Sequence, residues 1–152
     1  MVLWNVIFDK NKRILDTMDE GHKLMRNSMI WGGFFMLFGV VLGAFGAHAL
    51  KAILTEVQLL SFNTGVRYQM IHGLALLLLG LVSGQLRISM TWVSRLFIVG
   101  TIFFSVSIYL LVLGHSWGWN WVSLLGPVTP IGGGLLLAGW ALFVWKMIKI
   151  GD

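Results

Sequence analysis

Four long apolar stretches constrain the fold of this chain more than any motif does. They cover about residues 29–47, 68–86, 92–114 and 128–145. Each is near the ~20 residues that a helix needs to cross a hydrocarbon core of ~30 Å. Their apolar residues are continuous and do not alternate with polar ones, which indicates helices and not the strands of a membrane barrel. The sequence therefore predicts an all-α membrane protein, a four-transmembrane-helix bundle.

Composition excludes several other classes of protein. The chain is 57% hydrophobic and 11% charged, whereas a soluble domain carries roughly 25% charged residues. It has no cysteine, which excludes disulfides, thiolate metal sites, iron–sulfur clusters and cysteine nucleophiles. Its formal net charge is +5, but the basic residues lie in short segments between apolar runs. This pattern is typical of membrane orientation and not of nucleic-acid binding.

Residues 1–28 form a predicted amphipathic N-terminal extension, ahead of a transmembrane domain over residues 29–152. One face is apolar: Leu3, Trp4, Ile7, Phe8, Ile14, Leu15, Met18, Leu24 and Met25. The other is charged: Asp9, Lys10, Lys12, Arg13, Asp16, Asp19, Glu20 and Lys23. Such a helix either lies in the headgroup layer or packs on the membrane domain or on a partner. Both interpretations remain open.

A short interfacial helix is predicted between the first and second crossings. Thr55-Glu56-Val57-Gln58 has the pattern of a capping box, in which side chains satisfy the first free N–H groups of a helix. The apolar positions that follow extend to about Phe62, and Asn63-Thr64-Gly65 would end the helix.

Small residues on the first crossing predict close helix packing. Gly39, Gly43 and Ala47 are four residues apart. This small-xxx-small spacing lets the backbone of a second helix approach.

The distribution of positive charge predicts the orientation in the membrane. With four crossings, two basic residues lie on one side, Lys51 and Arg67, and nine lie on the side of both termini: Lys10, Lys12, Arg13, Lys23, Arg26, Arg87, Arg95, Lys146 and Lys149. Because Lys and Arg accumulate on the cytoplasmic side, both termini are expected in the cytoplasm. The loop after the third crossing instead carries Trp117, Trp119 and Trp121, which settle at headgroup level. The lipid bilayer is thus the first expected partner.

Several motifs resemble one known family. They are GAFGAHALK (residues 43–51), F-x-T-G-V-R-Y-Q-x-x-H (62–72), S-x-S-x-Y-L-L (105–111), T-P-I-G-G (129–133) and Gly139-Trp140. Over about residues 29–146 the chain resembles the small four-helix membrane proteins of domain of unknown function 423 (DUF423), which include a vertebrate transmembrane protein. The resemblance implies a four-helix fold in a bacterial inner membrane or a mitochondrion, and almost nothing about activity. Gly65 stands where that family commonly has Ala.

Polar residues at the outer ends of the first two crossings are the candidate site: His48, Lys51, Arg67, Tyr68, Gln69 and His72. Secondary candidates are Ser105, Tyr109 and Thr129. Tyr68 and His72 share a helix face, and His48 ends the preceding helix. We expect His48, Tyr68, Gln69 and His72 to converge in a hydrogen-bonded group with Lys51 and Arg67 at its rim. A structural cluster, a haem or divalent-metal site built on two imidazoles, and a site for a quinone, a lipid headgroup or a partner's polar tail remain open.

Three function classes follow from these features. The first is a non-catalytic accessory or structural subunit, bound to a larger membrane complex or to itself; we favour it. The second is a small transporter or channel component, against which the absence of Asp and Glu from the crossings argues. The third is a redox or lipid-modifying enzyme, for which no catalytic set of nucleophile, base and acid is present. No resident cofactor or metal is expected.

Overall fold

The computed structural model describes residues 2–86 and 89–149, and these ranges contain helices and short turns. The α-helices are α1 (Val2–Ala47), α2 (Glu56–Leu86), α3 (Thr91–Thr101), α4 (Ser107–Ser116) and α5 (Val128–Ile148). A π-helical segment, Ile102–Val106, joins α3 to α4, so the three form one continuous third crossing. Two 3-10 turns, Leu50–Ala52 and Asn120–Leu125, lie in the connections.

Four helical segments of the described ranges are long and apolar enough to cross a membrane. They are Gly21–Ala52, Glu56–Ser83, Thr91–Ser116 and Asn120–Ile148. The prediction of an all-α membrane protein with four transmembrane helices is therefore confirmed.

Glycines spaced seven apart pack α1 against α2. A Cβ added at Gly32 would lie 2.7 Å from the carbonyl oxygen of Gly73, and a Cβ at Gly46 would lie 3.4 Å from the Phe62 ring. Gly39, midway between them, is buried against the Met70 side chain. At 3.6 residues per turn, a seven-residue step moves only about 20° around the helix, so this row keeps facing α2.

The predicted stripe of Gly39, Gly43 and Ala47 is only partly the packing row. A Cβ at Gly43 would meet Val66 at an ordinary 3.6 Å, and Ala47 is exposed. Steps of four residues rotate about 40° each, so the stripe turns away from α2 after Gly39.

Helix α5 packs against the third crossing, also through glycines. A Cβ at Gly132 would collide with the backbone nitrogen of Phe104, and one at Gly139 would lie 2.8 Å from the Phe97 ring. Close approach of two backbones at Gly132 coincides with the π-helical segment. α1 is joined to α3 by the buried hydrogen bond between the Ser28 and Ser94 hydroxyls, 2.8 Å.

The N-terminal extension is continuous with the first crossing, since α1 runs unbroken through residue 28. Gly21 does not break it, because a single helical glycine costs only about 1 kcal/mol. Leu24 packs against the core of the bundle, and Ser28 bonds to α3. That residues 1–28 form a separable unit stays a prediction. The side chains of Leu3, Trp4, Arg13, Ile14 and Glu20, and residue Arg87, lie outside the described residues.

The short interfacial helix is not separate in the structure, because α2 begins at Glu56 and continues past Asn63-Thr64-Gly65. Thr64 satisfies its hydroxyl within the helix by donating to the Leu60 carbonyl, 3.0 Å. Gly65 stays within the helix because it packs closely on the third crossing, where a Cβ added to it would lie 2.7 Å from the Tyr109 ring. Tertiary contact thus overrides local breaking signals. The capping pattern is present at the start: the Thr55 N–H donates to Gln58 Oε1, 2.9 Å.

Candidate functional site

Gln69 is the centre of the first buried polar group. Its side chain is 5% exposed and lies on α2, facing both α1 and α4. Its amide nitrogen donates to the Phe35 carbonyl on α1, 2.9 Å, and its amide oxygen accepts from the Tyr109 hydroxyl on α4, 3.0 Å. One amide therefore ties three crossings together. The Tyr109 ring also packs on Phe62, with centroids 4.9 Å apart.

Hydroxyl groups connect the third crossing to its neighbours on either side. Ser105, inside the π-helical segment, donates to the Gly65 carbonyl of α2, 2.9 Å. Ser107 donates to the Phe104 carbonyl and lies 2.7 Å from the Thr129 hydroxyl of α5. Because Ser107 has a single hydroxyl proton, Thr129 is the donor between the two. The Thr101 hydroxyl, at the start of the segment, is buried without a hydrogen-bond partner.

His72 is the centre of a second group, in which the other members are aromatic. It is 3% exposed. Trp140 of α5 donates its indole N–H to His72 Nε2, 3.2 Å, and His72 Nδ1 lies 2.8 Å from the Tyr68 carbonyl. Since Nε2 accepts, the proton of a neutral ring is assigned to Nδ1, which donates to that carbonyl. The Phe97 ring packs edge-on at 5.5 Å.

These two groups stabilise helix packing and leave few of their polar atoms free to bind a ligand. Both nitrogens of His72 are engaged, so the ring has no lone pair open to a metal or haem in this arrangement. Among the described residues, no cluster of three or more His, Asp or Glu side chains has the geometry to hold a metal ion. The arrangement fits a structural role, in which polar side chains form hydrogen bonds between helices where no water is available.

The structure does not bring His48 to this group, so the expected convergence is wrong. His48 is exposed and its Nδ1 lies 3.1 Å from the Ala44 carbonyl of its own helix. α1 and α2 are antiparallel, with Phe35 beside Gln69 and Gly46 beside Phe62. His48 is thus level with about residue 60, which places it about 18 Å along the bundle from His72 at 1.5 Å per residue. No side chain spans that distance.

The remaining predicted residues lie at the periphery. Lys51 is exposed in the first 3-10 turn, and Arg67 is exposed on α2. Tyr68 is 39% exposed, and its ring stacks on His72 and packs on Phe104 at 4.4 Å. Tyr68 therefore covers His72 on its lipid side and joins the group through its ring and backbone carbonyl.

Sequence reasoning missed the partners that define both groups. Trp140 was noted only within a family motif, and the Phe35 carbonyl carries no sequence signal at all. A polar residue in an apolar crossing predicts that some partner exists, because an unpaired group there costs several kcal/mol. It does not predict which helix supplies that partner.

Comparison with known proteins gives consistent matches. The model of the family described as "Protein of unknown function (DUF423)" matches residues 42–133. A UPF0382 membrane protein of Staphylococcus haemolyticus is 37% identical over 82% of this chain and 98% of its own length. UPF0382 membrane proteins of Staphylococcus aureus (39%, 98% of its length) and Staphylococcus saprophyticus (38%, full length) match similarly. No solved structure matches.

Proposed function

Because the chain belongs to the DUF423 family of small integral membrane proteins, we propose that it is a non-catalytic structural subunit of a membrane complex. The observation that carries the proposal is the apolar surface of α1 beyond the membrane crossing. Ile7, Phe8, Leu15 and Met18 are 47–66% exposed there. Exposed apolar patches of this kind, outside lipid, mark interaction sites.

The interior of the bundle supports the same proposal. Gln69, Tyr109 and His72 bond to groups of the chain itself. Such a core anchors the protein rigidly in the membrane. A substrate site would instead need polar groups that are free to act on the substrate. The protein then contributes binding surface and position to the complex.

The proposed setting is the inner (plasma) membrane of a bacterium, with both termini in the cytoplasm. Seven of the nine basic residues on the terminal side are described at the side-chain level, and most of them are exposed, as the positive-inside rule requires of orienting charges. Near the ends of α3 and α5 two of them lie over interfacial tryptophans: Arg95 over Trp92 and Lys149 over Trp145, 5.2 and 4.2 Å from the ring centroids.

Extraction of the complex in a mild detergent tests the subunit role. Native mass spectrometry of the full chain is expected to give a complex with a mass well above the 17.0 kDa of one protomer. A variant lacking residues 2–20 is expected to remain in the membrane and fold, yet to lose that complex, because it keeps Leu24 and Ser28, which contact the bundle. A full chain that is monomeric directly from membranes would contradict the proposal.

Reporter fusions test the orientation. A reporter that is active only outside the cytoplasm should give no signal at Asp152 and a strong signal when inserted after Gly118 in the tryptophan loop. Gly118 is exposed and takes φ = 76° in a turn, so an insertion there leaves the crossings intact. Activity at Asp152 would show that the orientation or the number of crossings is wrong.

A further inference from the structure

One face of α1 has no partner within the described residues, in the membrane or outside it. It follows positions 8, 15 and 18, then 33, 40, 44 and 47, which recur with the 3.6-residue period of a helix. Between these two stretches the same face carries the exposed side chains of His22 and Arg26. Phe8, Leu15, Met18 and Val40 are 53–66% exposed along it. The face lies about a quarter turn from the glycine row that packs on α2, since Gly33 follows Gly32 and Val40 follows Gly39.

Inside the membrane this face is shaped to receive a helix. A Cβ at Gly33 would have nothing within 4 Å, and Ala44 is also exposed. Toward the outer end of α1 a shallow groove of about 450 Å³ is lined by Val40, Val41, Ala44, Phe45, His48 and Ala49. Small residues beside a groove allow two backbones to approach closely in lipid.

Outside the membrane the same face cannot be covered by lying on the bilayer. α1 is unbroken, and Ser28 is fixed to Ser94 in the bundle, so the helix leaves along the axis of its crossing. The polar side also carries both signs of charge, including the Asp19–Lys23 ion pair at 2.6 Å. A helix that binds anionic headgroups has a mainly basic polar side. Charge therefore disfavours a lipid surface and is compatible with a second copy of a nearly neutral helix.

The length of the face gives an interface at the small end of the standard range. From residue 8 to residue 47 α1 extends about 60 Å at 1.5 Å per residue, and a contact strip ~10 Å wide along it covers about 600 Å². Two copies together would bury about 1,200 Å², the lower limit of the roughly 1,200–2,000 Å² that standard interfaces bury. The membrane fixes every copy in one orientation, so identical helices meet parallel and in register. Each residue of the face then lies opposite its own counterpart.

We propose that α1 pairs in parallel with α1 of a second copy along this face, from Phe8 to Ala47. The inference rests on the proposed structural role and names the partner. The pair buries the apolar surface of the extension and the small residues of the crossing, two stretches of one face that are separated by His22 and Arg26. It also gives the dimer a two-helix stalk that projects from the membrane.

The absence of cysteine from the chain makes disulfide trapping a direct test. Met18→Cys and Ala44→Cys, made singly in the full chain and oxidised in native membranes, should each give a band at twice 17.0 kDa. A disulfide requires Cα atoms about 4.4–6.8 Å apart, which only a facing position provides. The matched controls are Asp16→Cys, on the opposite side of the extension, and Leu137→Cys, 74% exposed to lipid on α5. They should cross-link at least about five-fold less.

The outcomes separate this inference from the proposed function. Cross-linking of Met18→Cys to a protein of another mass, or a large native complex without any α1 cross-link, would overturn the second copy as partner and leave the structural role standing. Equal cross-linking at the control positions would indicate random collision and would overturn the pairing. A monomer of 17.0 kDa in native mass spectrometry, with no cross-link, would overturn both. All four positions are exposed, so the substitutions are expected to leave the fold intact.

Discussion

Replacement of Gln69 by Leu should destabilise the bundle through two identifiable losses. The Leu side chain has similar volume but removes the bond to the Phe35 carbonyl and the bond from the Tyr109 hydroxyl. Interhelical hydrogen bonds in membranes average about 0.6 kcal/mol each. The buried Tyr109 hydroxyl is also left without an acceptor, at a cost of about 1 kcal/mol or more. The expected loss is therefore about 2–3 kcal/mol.

The partner substitution Tyr109→Phe provides the internal control. It removes one bond and the hydroxyl together, so no buried donor is left, and it should cost about 1 kcal/mol. In the double variant the orphaned hydroxyl is absent. Gln69→Leu with Tyr109→Phe should then be about 1 kcal/mol more stable than the sum of the single effects predicts.

Reversible unfolding in mixed micelles, with the free energy extrapolated to native conditions, measures all three variants. Tyr68→Phe serves as a matched control, because the Tyr68 side chain contributes ring contacts on the bundle surface. It should change stability by less than about 0.5 kcal/mol. Effects of Gln69→Leu and Tyr109→Phe that add within about 0.3–0.5 kcal/mol would show that the two side chains are not coupled and would refute this reasoning.

Two further pairs of variants test the packing on α5 in the same assay. Gly132→Ala should destabilise the bundle by about 1–3 kcal/mol, because the added Cβ collides with the Phe104 backbone. Gly134→Ala, which has open space around the added methyl, should leave stability unchanged or raise it by up to about 1 kcal/mol. Equal effects of the two variants would show that the close approach at Gly132 is absent. His72→Phe should cost about 1–2 kcal/mol because it leaves the Trp140 N–H unpaired. If the destabilising effects of His72→Phe and Trp140→Phe add fully in the double variant, the hydrogen bond between the two side chains is refuted.

The sequence by itself determined the class of protein and its family. Apolar runs of membrane-crossing length can be satisfied only by helices, because lipid offers no hydrogen-bond partners to the backbone. The number of crossings and their approximate bounds follow from that requirement. The motifs from Gly43 to Lys51 and from Phe62 to His72 similarly indicated DUF423, and the family match confirms it.

Only the tertiary structure decided which polar side chains meet. Helical periodicity places Tyr68 and His72 on one face of α2, but it contains no information on how far α2 slides along α1. That register depends on the glycine row at residues 32, 39 and 46 fitting against α2. It carries His48 about 18 Å away from His72 and brings Trp140 of α5 into its place. The π-helical segment likewise forms where α2 and α5 both contact the third crossing, and no local pattern in residues 102–106 predicts it.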